Sequence, residues 1–172
     1  MKNALRAALL ALALPAAAMA ETYQAAGDPA LFLDYKQVAV AEGLEHPWSI
    51  AWLPDGTALV TERPGRLRAI RNGRLDPTPI SGVPPVLVAP ERGLVYQAGL
   101  FEVSPHPRFA ENRFVYLTYA HGTAQDNRLR LARATFDGRA LSDLKVLFES
   151  SQGKPDYQHY GGKILWLPDG TM

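Results

Sequence analysis

Four histidines and no cysteine bound the chemistry open to this chain. Without thiols there is no disulfide scaffold, no Cys-ligated zinc and no thiol nucleophile. His46, His106, His121 and His159 stand far apart. No pair has the close spacing of a metal site on one element, and no carboxylate cluster accompanies them. His46 and His106 each precede a proline, which reads as a turn, and His121 follows an apolar run in a polar stretch. For these three an exposed or structural role is the simplest reading. His159 differs. It lies in Tyr157-Gln158-His159-Tyr160-Gly161-Gly162-Lys163-Ile164-Leu165, where paired glycines permit close approach of backbone or ligand. An imidazole titrates near working pH, so it can take up and return a proton. The competing reading of His159 is a loop histidine with a hydrogen-bond partner.

The elements that would position such a residue repeat along the chain. Trp52-Leu53-Pro54-Asp55-Gly56-Thr57 recurs as Trp166-Leu167-Pro168-Asp169-Gly170-Thr171, an offset of 114 residues, with Val103-Ser104-Pro105-His106-Pro107 as a variant between them. Each copy follows a strand-like apolar run. Pro and Gly set turn dihedrals and Asp bonds its own backbone, so these are hairpin turns. The first joins 49–53 to 58–61; a longer turn joins 100–104 to 114–119. The run 66–70 reaches Asn72-Gly73, a strong hairpin signal. The run 128–136 reaches Asp137-Gly138, and 144–148 follows as a fourth strand. Phe114-Val115-Tyr116-Leu117-Thr118-Tyr119 is rich in strand formers and apolar on both faces. A strand inside one blade of a propeller needs that, because neighbouring blades cover both sides of its sheet.

A repeat of roughly 50 residues with about four strands each predicts an all-β fold, the β-propeller. Blades are expected at about 48–82 and 98–150, with a third beginning at 160. A propeller needs at least four blades to close, so the reading is two and a fraction blades of a longer protein. His159 then leads into an innermost strand, beside the central channel where propellers hold ligands. Val38-Ala39-Val40 could be a strand completing the last blade of the whole.

Composition agrees. The 172 residues are 47% hydrophobic and 20% charged, with 14 Gly and 14 Pro, which suits short strands and tight turns rather than a helix bundle or a disordered tail. A net charge of +1 excludes a nucleic-acid binder working through bulk positive charge. The first twenty residues read as a secretory signal peptide. Lys2 and Arg6 supply the positive region, Ala7 to Ala18 the apolar stretch, and Ala18-Met19-Ala20 the cleavage pattern ahead of Glu21. That stretch is short for a bilayer span. The expectation is 1–20 signal peptide, 21–36 a lead-in segment and 37–172 the propeller part, periplasmic or secreted, cut after Ala20, with no membrane insertion afterwards.

Three segments make a family likeness specific. Gly43-Leu44-Glu45-His46-Pro47-Trp48-Ser49-Ile50-Ala51-Trp52-Leu53-Pro54-Asp55-Gly56, continuing through Val60-Thr61-Glu62-Arg63-Pro64-Gly65-Arg66-Leu67, is one. Gln97-Ala98-Gly99-Leu100-Phe101-Glu102-Val103-Ser104-Pro105-His106-Pro107 with Asn112-Arg113-Phe114-Val115-Tyr116 is the second, and His159-Tyr160-Gly161-Gly162-Lys163-Ile164 the third. Together they resemble the glucose/sorbosone dehydrogenase family, the soluble quinoprotein aldose dehydrogenases. The resemblance implies a six-bladed propeller holding pyrroloquinoline quinone (PQQ) with calcium, an aldose sugar substrate and an external electron acceptor. It implies that the sugar's anomeric hydroxyl is oxidised to a lactone, with His159 as general base. It implies that Gln97 faces substrate and cofactor, and that Gln158, where some glucose-oxidising relatives carry Asp, also meets the substrate.

The sequence departs from the pattern at Ala98, where Gly or Asn is common, and at the bulkier Phe101-Glu102. The family's cofactor grip and calcium ligands belong to later blades, so no cofactor-binding or metal residue is assigned, and 172 residues alone are expected to be inactive. Arg63 and Arg66 read as a structural or solvated face. Two alternatives stand beside the dehydrogenase: a non-catalytic extracellular binding propeller, and a gluconolactonase-like metal-dependent hydrolase whose metal-ligand turn Glu45-His46-Pro47-Trp48 faintly resembles.

Overall fold

A computed structural model describes residues 38–90 and 97–172. The expected signal peptide and lead-in segment lie outside the described residues.

Turn chemistry shapes the first sheet. Strands β1 (Pro47–Trp52), β2 (Ala58–Glu62), β3 (Arg66–Arg71) and β4 (Arg74–Leu75) pair antiparallel in the order β1-β2-β3-β4. Between β1 and β2 the Leu53 N–H donates to the Thr57 carbonyl at 2.8 Å, and the Asp55 carboxylate accepts the Thr57 N–H at 2.9 Å. Asn72 and Gly73 both take positive φ (51° and 70°), the pair of left-handed residues that a tight hairpin turn requires. The second sheet repeats the order with β5 (Leu100–Pro105), β6 (Phe114–Gly122), β7 (Asn127–Phe136) and β8 (Leu141–Glu149). Its longer first turn contains a single helical turn, α1 (Phe109–Asn112). The two sheets are successive blades of a β-propeller.

Period-two alternation puts different residues of one strand into different cores. On β2, Leu59 joins Leu67 and Ala69 against Leu100, Val103, Val115 and Leu117 of the second sheet. Ala58 and Val60 join Ile70 on the opposite face. β6 is buried over most of its length, as its two apolar faces predict.

Between the blades runs a device that sequence reading missed. Thr61 on β2 accepts the Ser49 N–H at 3.0 Å and donates its hydroxyl to the Phe101 carbonyl of β5 at 2.6 Å. Thr118 on β6 does the same one blade later. It accepts the Glu102 N–H at 3.2 Å and donates to the Gly162 carbonyl at 2.7 Å. In both blades the inner strand slips register at this point, between Pro47 and Ser49 and between Leu100 and Val103. A bulge leaves backbone groups without ladder partners. One hydroxyl per blade fills that gap and ties the blade to the next.

Residues 160–167, expected to open a third blade, do not form a strand here, and residues 38–40, whose expected partner belongs to the last blade of the whole, are likewise unpaired. A strand exists only as part of a hydrogen-bonded ladder, and neither segment has a ladder partner among the described residues. Residues 160–167 are held to the second blade through side chains instead. Lys163 Nζ lies 2.7 Å from Glu102 Oε1, and Trp166 Nε1 donates to Ser104 Oγ at 2.9 Å.

Candidate functional site

Gln97 and His159 are 62 residues apart and meet. The Gln97 side-chain oxygen accepts the His159 backbone N–H at 2.9 Å. The main chain reinforces the contact, because the N–H groups of Gln97 and Ala98 both donate to the Tyr157 carbonyl, at 2.8 and 3.0 Å. The stretch leading into β5 and the loop before residue 160 therefore form one backbone-linked unit. Gln97 is half-buried and His159 exposed. The His159 imidazole has no hydrogen-bond partner among the described residues.

His159 adopts φ 56°, a left-handed conformation unusual for a residue with a Cβ. Backbone strain at a non-glycine residue persists only where its surroundings impose it. Two hydrogen bonds impose it here: Gln97 holds the His159 N–H, and Asp156 Oδ1 accepts the Gln158 N–H at 2.9 Å. The Asp156 carboxyl is held below its ordinary value, first by that N–H and then by Lys154, whose Nζ lies 3.0 Å away. Gln158 thus joins the group through its backbone and is half-buried beside it.

Tyr160 floors the site. It is buried, and its ring packs 5.1 Å from Phe101, which in turn lies 5.5 Å from Trp48. Lys154 Nζ sits 3.9 Å above the same ring. The Tyr160 hydroxyl donates to Asn127 Oδ1 and, at 3.3 Å, to the Asp156 carbonyl. Burial, followed by the nearby Asp156 and Tyr157, pushes its pKa up to about 12. It is a neutral donor across the working pH range.

The paired glycines divide their duties. A Cβ on Gly162 would stand 3.0 Å from Thr118 Oγ1, so the close approach there is made by the second blade and not by a ligand. A Cβ on Gly161 would meet nothing within 4 Å.

The other histidines lie in other surroundings. His106 Nδ1 accepts the Arg108 N–H at 2.9 Å, and the ring packs edge-on against Trp166, a structural role. His121 ends β6 in the company of Arg130 and Glu149, and burial followed by the charge of Arg130 lowers its pKa. The Glu45-His46-Pro47-Trp48 turn is committed elsewhere. Glu45 Oε2 pairs with Arg66 Nη2 at 2.5 Å, and the His46 carbonyl accepts the Arg63 N–H at 3.0 Å. Arg66 is structural, because it also bonds the fully buried Glu62 at 2.6 Å. Arg63 lies in the turn between β2 and β3, where its carbonyl accepts the Leu100 N–H at 3.1 Å beside Gly99.

Comparison with known proteins decides the family. The Glucose / Sorbosone dehydrogenase sequence family matches residues 44–172. The chain belongs to the glucose/sorbosone dehydrogenase family. It is 55% identical over 141 residues, 81% of its length, to the protein named "Uncharacterized protein slr1608" of Synechocystis sp.. A glucose dehydrogenase crystal structure superposes with a TM-score of 0.68 at 37% identity, covering 77% of this chain and 38% of that one. The PQQ-bound aldose sugar dehydrogenase of Streptomyces coelicolor superposes with a TM-score of 0.58 at 26% identity, with the same two coverages. The chain spans 34% of the length of the curated relatives it matches.

Membership of a sugar dehydrogenase family can be set against what this site offers. Gln97 Nε2 has no protein partner among the described residues, and the His159 ring is open. In chemical type, an amide donor and an imidazole suit a quinone carbonyl and a sugar hydroxyl. The nearby Lys154 is occupied by Asp156 and the Tyr160 ring. Calcium finds less: no three Asp, Glu or His side chains converge among the described residues. Asn127 is the site-supporting residue that sequence reading overlooked. It sits in an ordinary-looking Asp-Asn pair after a polar loop, and no local pattern announces its complete burial.

Proposed function

We propose that this chain supplies the first two blades and the base-bearing loop of a PQQ-dependent aldose dehydrogenase, which oxidises a sugar's anomeric hydroxyl to a lactone. The observation that carries the reading is the Gln97–His159 hydrogen bond. It joins the stretch before β5 to the loop before residue 160, with the His159 side chain exposed and the Gln97 amide nitrogen without a protein partner among the described residues.

The quinone, when bound, supplies the hydride acceptor. His159 accepts the anomeric hydroxyl proton on a ring nitrogen while the C–H hydride departs, so the carbon–oxygen bond becomes a carbonyl. Gln97 has its oxygen committed to the His159 N–H, so toward a ligand it acts as a donor through Nε2. Gln158 lies next to the base and contacts the sugar. An external acceptor returns the quinone to its oxidised state. Calcium, if used, is ligated outside the described residues. The expected export route, with cleavage after Ala20, predicts Glu21 at the N-terminus of the mature protein by mass spectrometry, and 21–36 forms a lead-in to the propeller.

The test is steady-state aldose oxidation by the full-length protein loaded with PQQ and calcium, using an artificial acceptor. His159→Ala loses about 10²–10⁴-fold in turnover, the contribution of a positioned base. Gln97→Ala shifts apparent sugar affinity as well as rate, because its bond forms in the ground state too. A His159→Ala rate within about threefold of wild type, far below a base's usual contribution, would overturn the assignment. It would place the base elsewhere and leave the oxidation itself standing, whereas a wild type that oxidises no aldose would favour a binding propeller without catalysis.

A further inference from the structure

We propose that Asn127 is a positioning residue for the reaction, holding the His159 loop in its working conformation from beneath; this rests on the dehydrogenase reading above. Asn127 begins β7 and is 0% exposed. A fully buried amide is costly unless each of its polar atoms is bonded, and here each is. Its Nδ2 donates to the Thr123 carbonyl at 3.1 Å and to the Asp156 carbonyl at 2.9 Å, while its Oδ1 accepts the Tyr160 hydroxyl. Its main chain exchanges both hydrogen bonds with Lys154, at 3.1 and 3.0 Å.

One residue therefore grips the loop at 154, 156 and 160, on both sides of Gln158 and His159. The route to the base is short. Asn127 fixes the Asp156 backbone, the Asp156 carboxylate fixes the Gln158 N–H, and Gln97 fixes the His159 N–H at its left-handed φ. The turn that carries Asn127 is itself built to receive the loop. A Cβ on Gly153 would stand 1.5 Å from Asp126 Oδ1, so the loop lies directly on that turn. Misplacing a catalytic group by about 1 Å costs roughly 10²-fold in rate, so a residue that never meets the sugar can still govern turnover.

The substitutions separate the bonds. Asn127→Asp keeps the shape and the acceptor for Tyr160 but replaces the two N–H donors of Nδ2 with one oxygen facing two carbonyls. Asn127→Ser keeps the site polar with a shorter side chain. Tyr160→Phe removes only the hydroxyl and leaves the grip on Asp156. In the full-length protein, hydrogen exchange followed by mass spectrometry reads the amides of 156–160, and steady-state aldose oxidation of the loaded enzyme reads kcat and KM. Asn127→Asp and Asn127→Ser should speed exchange in 156–160 by about tenfold, the loss of roughly one net hydrogen bond, with other core peptides unchanged. They should lower kcat by about 10–100-fold at near-constant KM. Tyr160→Phe should speed exchange in 156–160 less than either Asn127 variant, since the bonds from Asn127 to Asp156 and Lys154 survive.

Unchanged exchange in 156–160 in both Asn127 variants would overturn the proposal, whatever the activity. So would faster exchange spread over the whole protein with kcat and KM intact in the folded fraction, because that marks a purely structural residue. A wild-type protein that oxidises no aldose while Asn127→Asp still frees the loop would sink the dehydrogenase reading and leave the grip itself standing.

Discussion

The two blades share a strand order and an inter-blade threonine, yet the residue after that threonine is handled in opposite ways. After Thr61 comes Glu62, fully buried, bonded to Arg66 Nε at 2.6 Å, to Arg68 Nη1 at 3.3 Å and to the Glu45 N–H at 2.6 Å. After Thr118 comes Tyr119, equally buried, whose hydroxyl meets Arg130. One blade buries a charge and surrounds it with partners; the other buries a neutral ring and needs one. The backbone scaffold is common property, whereas the polar chemistry after the threonine belongs to each blade. Failure should therefore differ in kind between blades at this position, and be the same in kind but not in size at the threonines.

The largest effect tests the buried charge. Glu62→Ala should cost about 3–5 kcal/mol, as expected when one partner of a buried ion pair is removed and the rest stay. Tyr119→Phe should cost about 1 kcal/mol, one net hydrogen bond. Urea denaturation of the full-length protein measures both, and equal losses would break the comparison. The same carboxylate gives the first blade a pH signature. Burial pushes the Glu62 pKa up, but bonds from Arg66, the Glu45 N–H and Arg68 outweigh it, and the net value lies below the ordinary 4.5. A lowered folded pKa means stability that is present above 4.5 and lost as pH falls through the folded value. Wild type should weaken progressively below pH 4.5, while Glu62→Gln, with nothing to protonate, should show a flatter acid limb. A parallel limb in the variant would assign the acid sensitivity to other carboxylates.

Next come the threonines. Thr61→Val and Thr118→Val each strand a backbone N–H and a carbonyl, at about 1–3 kcal/mol for unsatisfied buried groups. The Thr61 bond to Phe101 is buried, whereas the Thr118 bond to Gly162 is partly open to water, which can replace what is lost. Thr61→Val should therefore cost more. Exchange at the Ser49 and Glu102 amides, each bonded to its threonine, should rise in the matching variant only. A rise at both amides in either variant would show that the two junctions are one cooperative unit.

The sequence made the blades legible because their signals are local. Asn72-Gly73, Asp137-Gly138 and the repeated Trp-Leu-Pro-Asp-Gly-Thr each encode a turn within a few residues, and the alternating runs between them can only be strands. What stayed hidden acts across distance. Thr61 and Thr118 looked like ordinary strand formers inside β-branched runs, since nothing local marks the carbonyl of the next blade as their partner. Asn127 looked like a loop residue because its three side-chain bonds reach 123, 156 and 160. The family likeness placed Gln97 and His159 in one site, but it did not indicate that the bond between them would use the histidine's backbone. Residues 160–167 carry a strand-like pattern, and no strand among the described residues pairs with them.

The smallest effect uses the repeated turn. Gly56 and Gly170 occupy the same place in the two copies, with φ 81° and 85°, and a Cβ on either would meet nothing within 4 Å. The turn hydrogen bonds match as well: Leu53 N–H to Thr57 and Leu167 N–H to Thr171 are both 2.8 Å. Alanine at either position meets the same left-handed strain of about 1–2 kcal/mol. Gly56 joins two paired strands, so relieving its strain means breaking β1 from β2. Gly56→Ala should lower global stability by about 1 kcal/mol, and Gly56→Asn should recover part of that, because Asn tolerates the left-handed region. Gly170→Ala should lower the stability of the full-length protein by a similar amount, because the same turn is strained in the same way. Thermal denaturation of the full-length protein compares all three. A Gly170→Ala loss within about 0.5 kcal/mol of wild type would mean that the second copy of the turn joins no paired strands, and the equivalence of the two copies would fall.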